Sequence, residues 1–284
     1  MEILQQLTFL ERGIAAGLII GFICPLLGAF LLVRRITIIS EALSHITLTG
    51  ITAGIFLSQG FVFLSFLNPL YTGLFFSLIG SLLVEKLRQI YKNFQELAIP
   101  VILSAGIGLS AILISLVNTS YSEWYSYLFG SIVTVSLNDL LFIIITGLLA
   151  FLMIVAFYKE LLSISFDQEF AKVSGISIRR FNFFFSILIA LVISMSMKVV
   201  GILLVGAMVT LPIAASIQIA KSFRQVIFWG IVFGEVSMIG GILFSYFFDI
   251  ATGGMIVVTG IGLLLLTTII KRSKEYVEHK LSGG

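Results

Sequence analysis

The chain has 284 residues, 59% hydrophobic and 11% charged, with mean hydropathy +1.15 and a formal net charge of +3. A soluble domain carries about 25% charged residues, so this composition excludes a water-soluble enzyme and points to a polytopic membrane protein. The modest positive charge gives no reason to invoke nucleic acid. The single cysteine, Cys24, excludes an internal disulfide and a cysteine-based metal cluster.

The opening residues, Met1 to Gln6, have no basic segment before an apolar run, so no signal peptide is expected. A spanning helix needs about 20 apolar residues. Runs of that kind lie near 13–33, 37–58, 61–83, 97–118, 138–158, 182–197, 199–220, 225–248 and 254–270. They predict an all-α bundle of eight to nine spans in one transmembrane domain over 1–284. The pair 182–197 and 199–220 is short enough to be partly re-entrant. The runs are continuous rather than alternating, which excludes a β-barrel.

Charge predicts the orientation. With the N-terminus outside and the C-terminus inside, all of the 17 basic residues except Arg12 and Lys198 fall on inner segments. The positive-inside rule favours that arrangement and opposes its reverse. Lys198, near the outer face, is expected to snorkel to the headgroups.

The second run contains the chemistry. Glu41 and His45 are four apart, so a helix places them on one face, one turn apart. An acid and an imidazole in an apolar helix must pair with each other, bond a neighbouring helix, face water or hold an ion. Carboxylate oxygen and neutral imidazole nitrogen suit a divalent ion such as zinc or manganese. The only other histidine, His279, lies in the polar tail.

Further along, the outer loop 119–136 holds Glu123, Trp124, Tyr125, Tyr127 and Phe129 and no Lys or Arg. Its aromatics suit a lipid–water interface more than a partner contact. The pairs Gly106/Ser110 and Gly201/Ala207 are spaced for close helix approach.

The inner segment 159–181 predicts a short amphipathic helix near 165–177. Asp167 or Ser165 would cap it, and Gly175 would end it in a left-handed turn. Phe170, Val173 and Ile176 lie at helical spacing, suited to a partner's groove or to lipid headgroups. In the eighth run, Glu235 is a second metal contact, a proton-linked group or a partner within the bundle.

No Gly-Lys dipeptide occurs, so the chain has no Walker A phosphate loop. ATP, if it drives transport, binds a separate subunit.

Several stretches resemble the ABC-3 permeases, the membrane subunits of zinc and manganese importers. Ser40-Glu-Ala-Leu-Ser-His45 is similar to that family's Gly-Asp-Ala-Leu-Ser-His segment. Glu169-Phe-Ala171, followed by Gly175, resembles the Glu-Ala-Ala-x-x-x-Gly coupling loop of ABC importers, with Phe170 in place of the first alanine. Tyr127 to Ser131, Gly201 to Pro212 and Ser245 to Asp249 also fit, in order along nearly the whole chain.

The resemblance implies a bacterial plasma-membrane permease acting as a homodimer, with cytoplasmic ATPase subunits and an extracellular metal-binding protein. It implies metal contacts at Glu41 and His45, and ATPase coupling through Asp167, Glu169, Ala171 and Gly175. No cofactor is expected on this chain beyond the transported ion.

The stretch after His45 lacks the proline of manganese-type members. It is similar to Gram-positive zinc-uptake permeases, so zinc is the expected cargo and manganese the alternative. Importers of iron chelates or cobalamin, and an ion-coupled secondary transporter, are the further alternatives. An intramembrane zinc enzyme would need more ligands than one Glu and one His.

Overall fold

The computed structural model describes residues 8–60, 68–117 and 121–282. Among them the regular structure is helical throughout. α1 (Phe9–Val33) starts in a capping box. The Glu11 amide donates to the Thr8 hydroxyl at 3.4 Å, and the Thr8 amide donates back to Glu11 at 2.7 Å. α2 (Ile39–Gly60), α3 (Pro69–Tyr91) and α4 (Ala98–Leu116) follow, with a 3-10 turn at Lys92–Leu97 joining the last two.

α5 (Tyr121–Phe129) is a short helix before α6 (Leu137–Ala156). Then come α7 (Tyr158–Phe166), α8 (Gln168–Val173), α9 (Ile178–Val200) and α10 (Val205–Ile217). α11 (Phe223–Phe248) and α12 (Thr252–Ser282) complete the chain.

α1 and α9 are the most buried of the long helices and form the centre. α1 packs on α6, α9, α10 and α11, while α2 lies against α3 and α4 and touches α9 and α10. Glycines set the closest approaches. A Cβ at Gly28 of α1 would collide with the Val209 carbonyl of α10. A Cβ at Gly234 of α11 would collide with the Gly21 carbonyl of α1. Lipid tails offer helices no hydrophobic reason to associate, so such small-residue contacts hold the bundle through van der Waals packing.

Among the described residues seven helices are long and apolar enough to cross a membrane. The nine expected runs all become helices, but two are not of that kind. α2 has 22 residues yet carries Glu41, His45 and several hydroxyls, so its composition is too polar. α10 has 13 residues, about 20 Å of helix, which is short of a core about 30 Å thick.

Two boundaries differ from the sequence expectation. The run at 61–83 becomes a helix starting at Pro69, where the Asn68 side chain accepts from the Leu70 amide at 3.0 Å. Proline suits a first helical position because its missing N–H has no partner there. Residues 61–67 lie outside the described ones. The short run 182–197 is part of a full-length helix of 23 residues, because its first turn contains Arg179 and Arg180, which a hydropathy reading leaves out.

Lys198 is tied down rather than snorkelling. Its ammonium lies 3.7 Å from Asp139 and 5.1 Å from the centre of the Tyr127 ring. Asp139 also accepts from the Ser136 amide at 3.0 Å and the Asn68 amide group at 3.3 Å. Gly201 does not serve helix packing with Ala207. It ends α9 at φ +89°, against the backbone of Phe129 and Gly130.

Candidate metal site

The hydroxyls of α2 are satisfied locally. Ser44 donates to the Ser40 carbonyl at 2.8 Å and Thr47 to the Leu43 carbonyl at 2.6 Å. Thr49 donates both to the His45 carbonyl at 3.0 Å and across to the Gly106 carbonyl of α4 at 3.1 Å. These bonds leave the acid and the imidazole as the groups on this helix with side-chain chemistry to spare.

Glu41 lies in the first turn of α2 and is exposed on the surface of the chain. Its methylenes face α10, where a Cβ at Gly206 would stand 3.0 Å from Glu41 Cγ. His45, one turn on, is half-buried against Gly106 of α4. Its Nδ1 is buried without a hydrogen-bond partner among the described residues. No hydrogen bond or ion pair joins Glu41 to His45 among those residues, so the pair is not spent on itself.

No group of three or more His, Cys, Asp or Glu side chains gathers among the described residues. Glu235 therefore does not join the other two. It lies on α11 against Gly21 of α1, and its Oε2 is also buried without a partner. Glu41 and His45 are the two candidate ligands on α2, and an ion held by them would take its remaining ligands from outside the chain or from water. Such a site holds an ion loosely, which suits passage rather than storage.

The candidate coupling element is two pieces rather than one helix over 165–177. α7 ends at Phe166, and Asp167 is extended at φ −149° and ψ 104°. Its carboxylate accepts from the Phe170 amide at 2.9 Å, capping α8. Ser165 is not the cap; its hydroxyl donates to the Leu161 carbonyl at 2.6 Å inside α7. Gly175 follows α8 at φ +83°, as a left-handed turn requires. Ala171 is buried, Glu169 is exposed, and Phe170 and Val173 are 64% and 87% exposed. The apolar side chains of this element therefore point away from the bundle and offer a contact surface.

The sequence marked Gly106 for close helix approach, as found, but not its meeting with His45, and it missed Gly206 beside Glu41. It also missed Arg34, whose side chain bonds α7 and α9. For Arg34 the distribution of basic residues gave only an expectation of the side on which it lies.

A multi-pass helical bundle with an unpaired acid–imidazole couple in one helix defines a membrane transport subunit rather than an enzyme. The chain belongs to the ABC 3 transport family, whose model matches residues 6–271. It is a multi-pass bacterial membrane protein.

It is 31% identical over 270 residues to "Manganese transport system membrane protein MntC" of Listeria innocua, covering 95% of this chain and 91% of that protein. It is 28% identical over 262 residues to "High-affinity zinc uptake system membrane protein ZnuB" of Haemophilus influenzae, covering 92% and 97%. A solved structure, "PsaBC from Streptococcus pneumoniae in complex with Fab", matches with TM-score 0.81 at 27% identity, covering 98% of this chain and 97% of the other.

That structure corrects the homodimer expectation. Its name joins two different components, PsaB and PsaC, so the similar chain comes from an assembly of unlike chains. The chain has no phosphate-binding loop, so an ATP-driven assembly needs an unlike chain beside it, and that requirement does not by itself supply a second copy of this one.

Proposed function

We propose that the chain is the membrane-spanning subunit of an ATP-driven importer whose cargo is manganese. The observation that carries this reading is His45 Nδ1, buried without a hydrogen-bond partner among the described residues and one turn from Glu41, on a helix whose hydroxyls are otherwise satisfied. An ion entering from outside would exchange part of its water shell for the carboxylate and the imidazole. It would leave inwards because two ligands do not trap it.

Manganese replaces the zinc expected from the sequence. The support is the higher identity to a relative named for manganese than to one named for zinc. The donor set, one carboxylate and one imidazole, accepts manganese as it accepts zinc, so the choice of cargo rests on the relatives.

The proposed orientation has the N-terminus outside and the C-terminus inside. The asymmetry of the basic residues supports it. α8 then faces the cytoplasm, where Phe170 and Val173 would dock on the ATPase, with Asp167 and Gly175 fixing the turn and Ala171 seating it. At the other end an open cavity of about 690 Å³ is lined by Tyr125, Gly130, Thr134, Tyr246, Asp249 and Thr252. A metal-delivering protein would engage that end.

The test is uptake by the permease with its ATPase in liposomes, offered manganese and zinc in competition. Preference for manganese supports the reading. Preference for zinc returns the cargo to the sequence expectation and leaves the importer class standing.

A further inference from the structure

Arg34 is a cation inside the bundle's inner end, and its fork reaches from the end of α1 to two helices, α7 and α9. It follows directly on α1 as the residue that caps it. Nε donates to the Ser165 hydroxyl of α7 at 3.2 Å. Nη1 donates to the Asn182 side-chain carbonyl of α9 at 3.3 Å. The guanidinium also lies 4.1 Å from the centre of the Phe185 ring, in cation–π contact.

Asn182 passes the network on, donating to Glu85 of α3 at 3.2 Å, and Glu85 lies 3.8 Å from Arg88. Ser165 is two residues before Asp167, the cap of the coupling helix α8. One side of the Arg34 fork therefore grips the base of the element proposed to dock on the ATPase.

In the other direction the chain leads straight to the metal couple. Arg35 has φ +56°, a left-handed conformation that an arginine rarely adopts. The Ile36 amide donates back to the Leu31 carbonyl at 3.1 Å, closing a tight turn onto α1. The Ser40 hydroxyl donates to the Thr37 carbonyl at 2.7 Å and fixes the start of α2. Glu41 is the next residue. No flexible loop intervenes between Arg34 and the first ligand.

We propose that Arg34 is the positioning residue that transmits movement of the α7–α8 coupling element to the Glu41–His45 couple. This rests on the importer reading above. A displaced α7 pulls on Nε through Ser165, and Arg34 shifts against the fixed partners Asn182 and Phe185. The strained Arg35 turn then changes the tilt at which α2 presents its ligands. Arginine fits this role because its rigid fork bonds two separate acceptors while its face stacks on a ring; a lysine ammonium keeps the charge but not the planar fork.

The experiment uses the complete transporter, with its ATPase, in liposomes, and measures ATP hydrolysis and manganese uptake together. Arg34→Gln is expected to keep the ATPase bound and hydrolysing while manganese taken up per ATP falls about tenfold. Arg34→Lys is expected to recover part of that ratio. Ser165→Ala leaves Arg34 intact, removes the coupling-side bond together with the hydroxyl's bond to the Leu161 carbonyl inside α7, and is expected to lower the ratio about threefold.

A purely structural clamp would lower protein yield and leave the ratio of survivors unmoved. Unchanged ratios in Arg34→Gln and Ser165→Ala would overturn the proposal. If Arg34→Gln fails to reach the membrane, Ser165→Ala decides alone. Absence of manganese uptake by the unmutated transporter would overturn the manganese reading alone, and the same ratios measured with zinc would then decide the link.

Discussion

Gly106 of α4 lies directly against the histidine of the metal couple. A Cβ placed on it would stand 3.1 Å from His45 Cβ and 3.0 Å from the His45 carbonyl carbon. The cross-helix bond from Thr49 to the Gly106 carbonyl holds the same contact closed. Position 106 therefore sets how far α2 stands from α4, and with it where the imidazole points.

The first prediction follows. Gly106→Ala needs a shift of a few tenths of an ångström and should leave most uptake in place. Gly106→Val adds two further methyls to a packed contact and should cost about 1–3 kcal/mol of stability. It should also reduce uptake by more than the loss of folded protein explains. Thermal unfolding in detergent, set beside uptake per folded transporter, separates the two effects. Unaltered uptake in Gly106→Val would show that the helix spacing is unimportant.

Much of this architecture is legible in the sequence because lipid leaves the chain few options. Each apolar run must satisfy its own backbone, so runs become helices, and all nine did. The couple on α2 is legible because charged or titratable groups are rare there and four-residue spacing fixes one face. What was not legible depends on distance in space. Nothing in the sequence says that Gly106 meets His45, that Gly206 meets Glu41, or that Lys198 finds Asp139, which lies 59 positions earlier. The shifted start of α3 has another cause. Phe61 to Leu67 is apolar and reads as span, whereas Asn68-Pro69 supplies the helix start.

The coupling helix gives the second prediction. Gly175 has φ +83°, and a Cβ there would meet nothing within 4 Å. Any penalty is thus one of backbone conformation and not of packing. Gly175→Asn tolerates the left-handed turn and should keep the ATPase bound. Gly175→Val should cost about 1–2 kcal/mol locally, unseat α8 and lose the ATPase with the permease still inserted. Co-purification is the measurement. Equal recovery of ATPase with both variants would mean that the turn is not needed for docking.

The ion pair between Lys198 and Asp139 gives the third. Their side chains are 16% and 7% exposed, so removing one partner leaves a largely buried charge. Lys198→Met should destabilise the bundle by about 3 kcal/mol. The double variant Lys198→Met, Asp139→Asn removes both charges and should recover part of that loss. Asn68 and Ser136 donate to different oxygens of Asp139, so the new amide's single oxygen keeps one of these donors and loses the other, which is why the recovery is partial. Denaturation midpoints in detergent report the difference. A double variant less stable than Lys198→Met would refute the pairing as the source of stability.

The last prediction concerns the ligands themselves. Protonated imidazole has no lone pair for a metal, so uptake should be full where His45 is neutral and fall as acidification protonates it. His45→Ala should abolish uptake at every pH while leaving ATPase association unchanged. Glu41 tests geometry rather than protonation. Its Cγ and Oε1 lie 3.0 and 3.8 Å from where a Cβ on Gly206 would stand, so the carboxylate sits beside that glycine of α10. Glu41→Asp removes one methylene, withdraws the oxygens by about 1.5 Å, and should keep transport with an altered rate or metal preference. Glu41→Gln keeps the length but replaces an anion by a weak neutral ligand, and should lose most uptake. If Glu41→Gln carries manganese as fast as the unmutated chain, the carboxylate is not on the ion's path, and His45 would have to act with other groups.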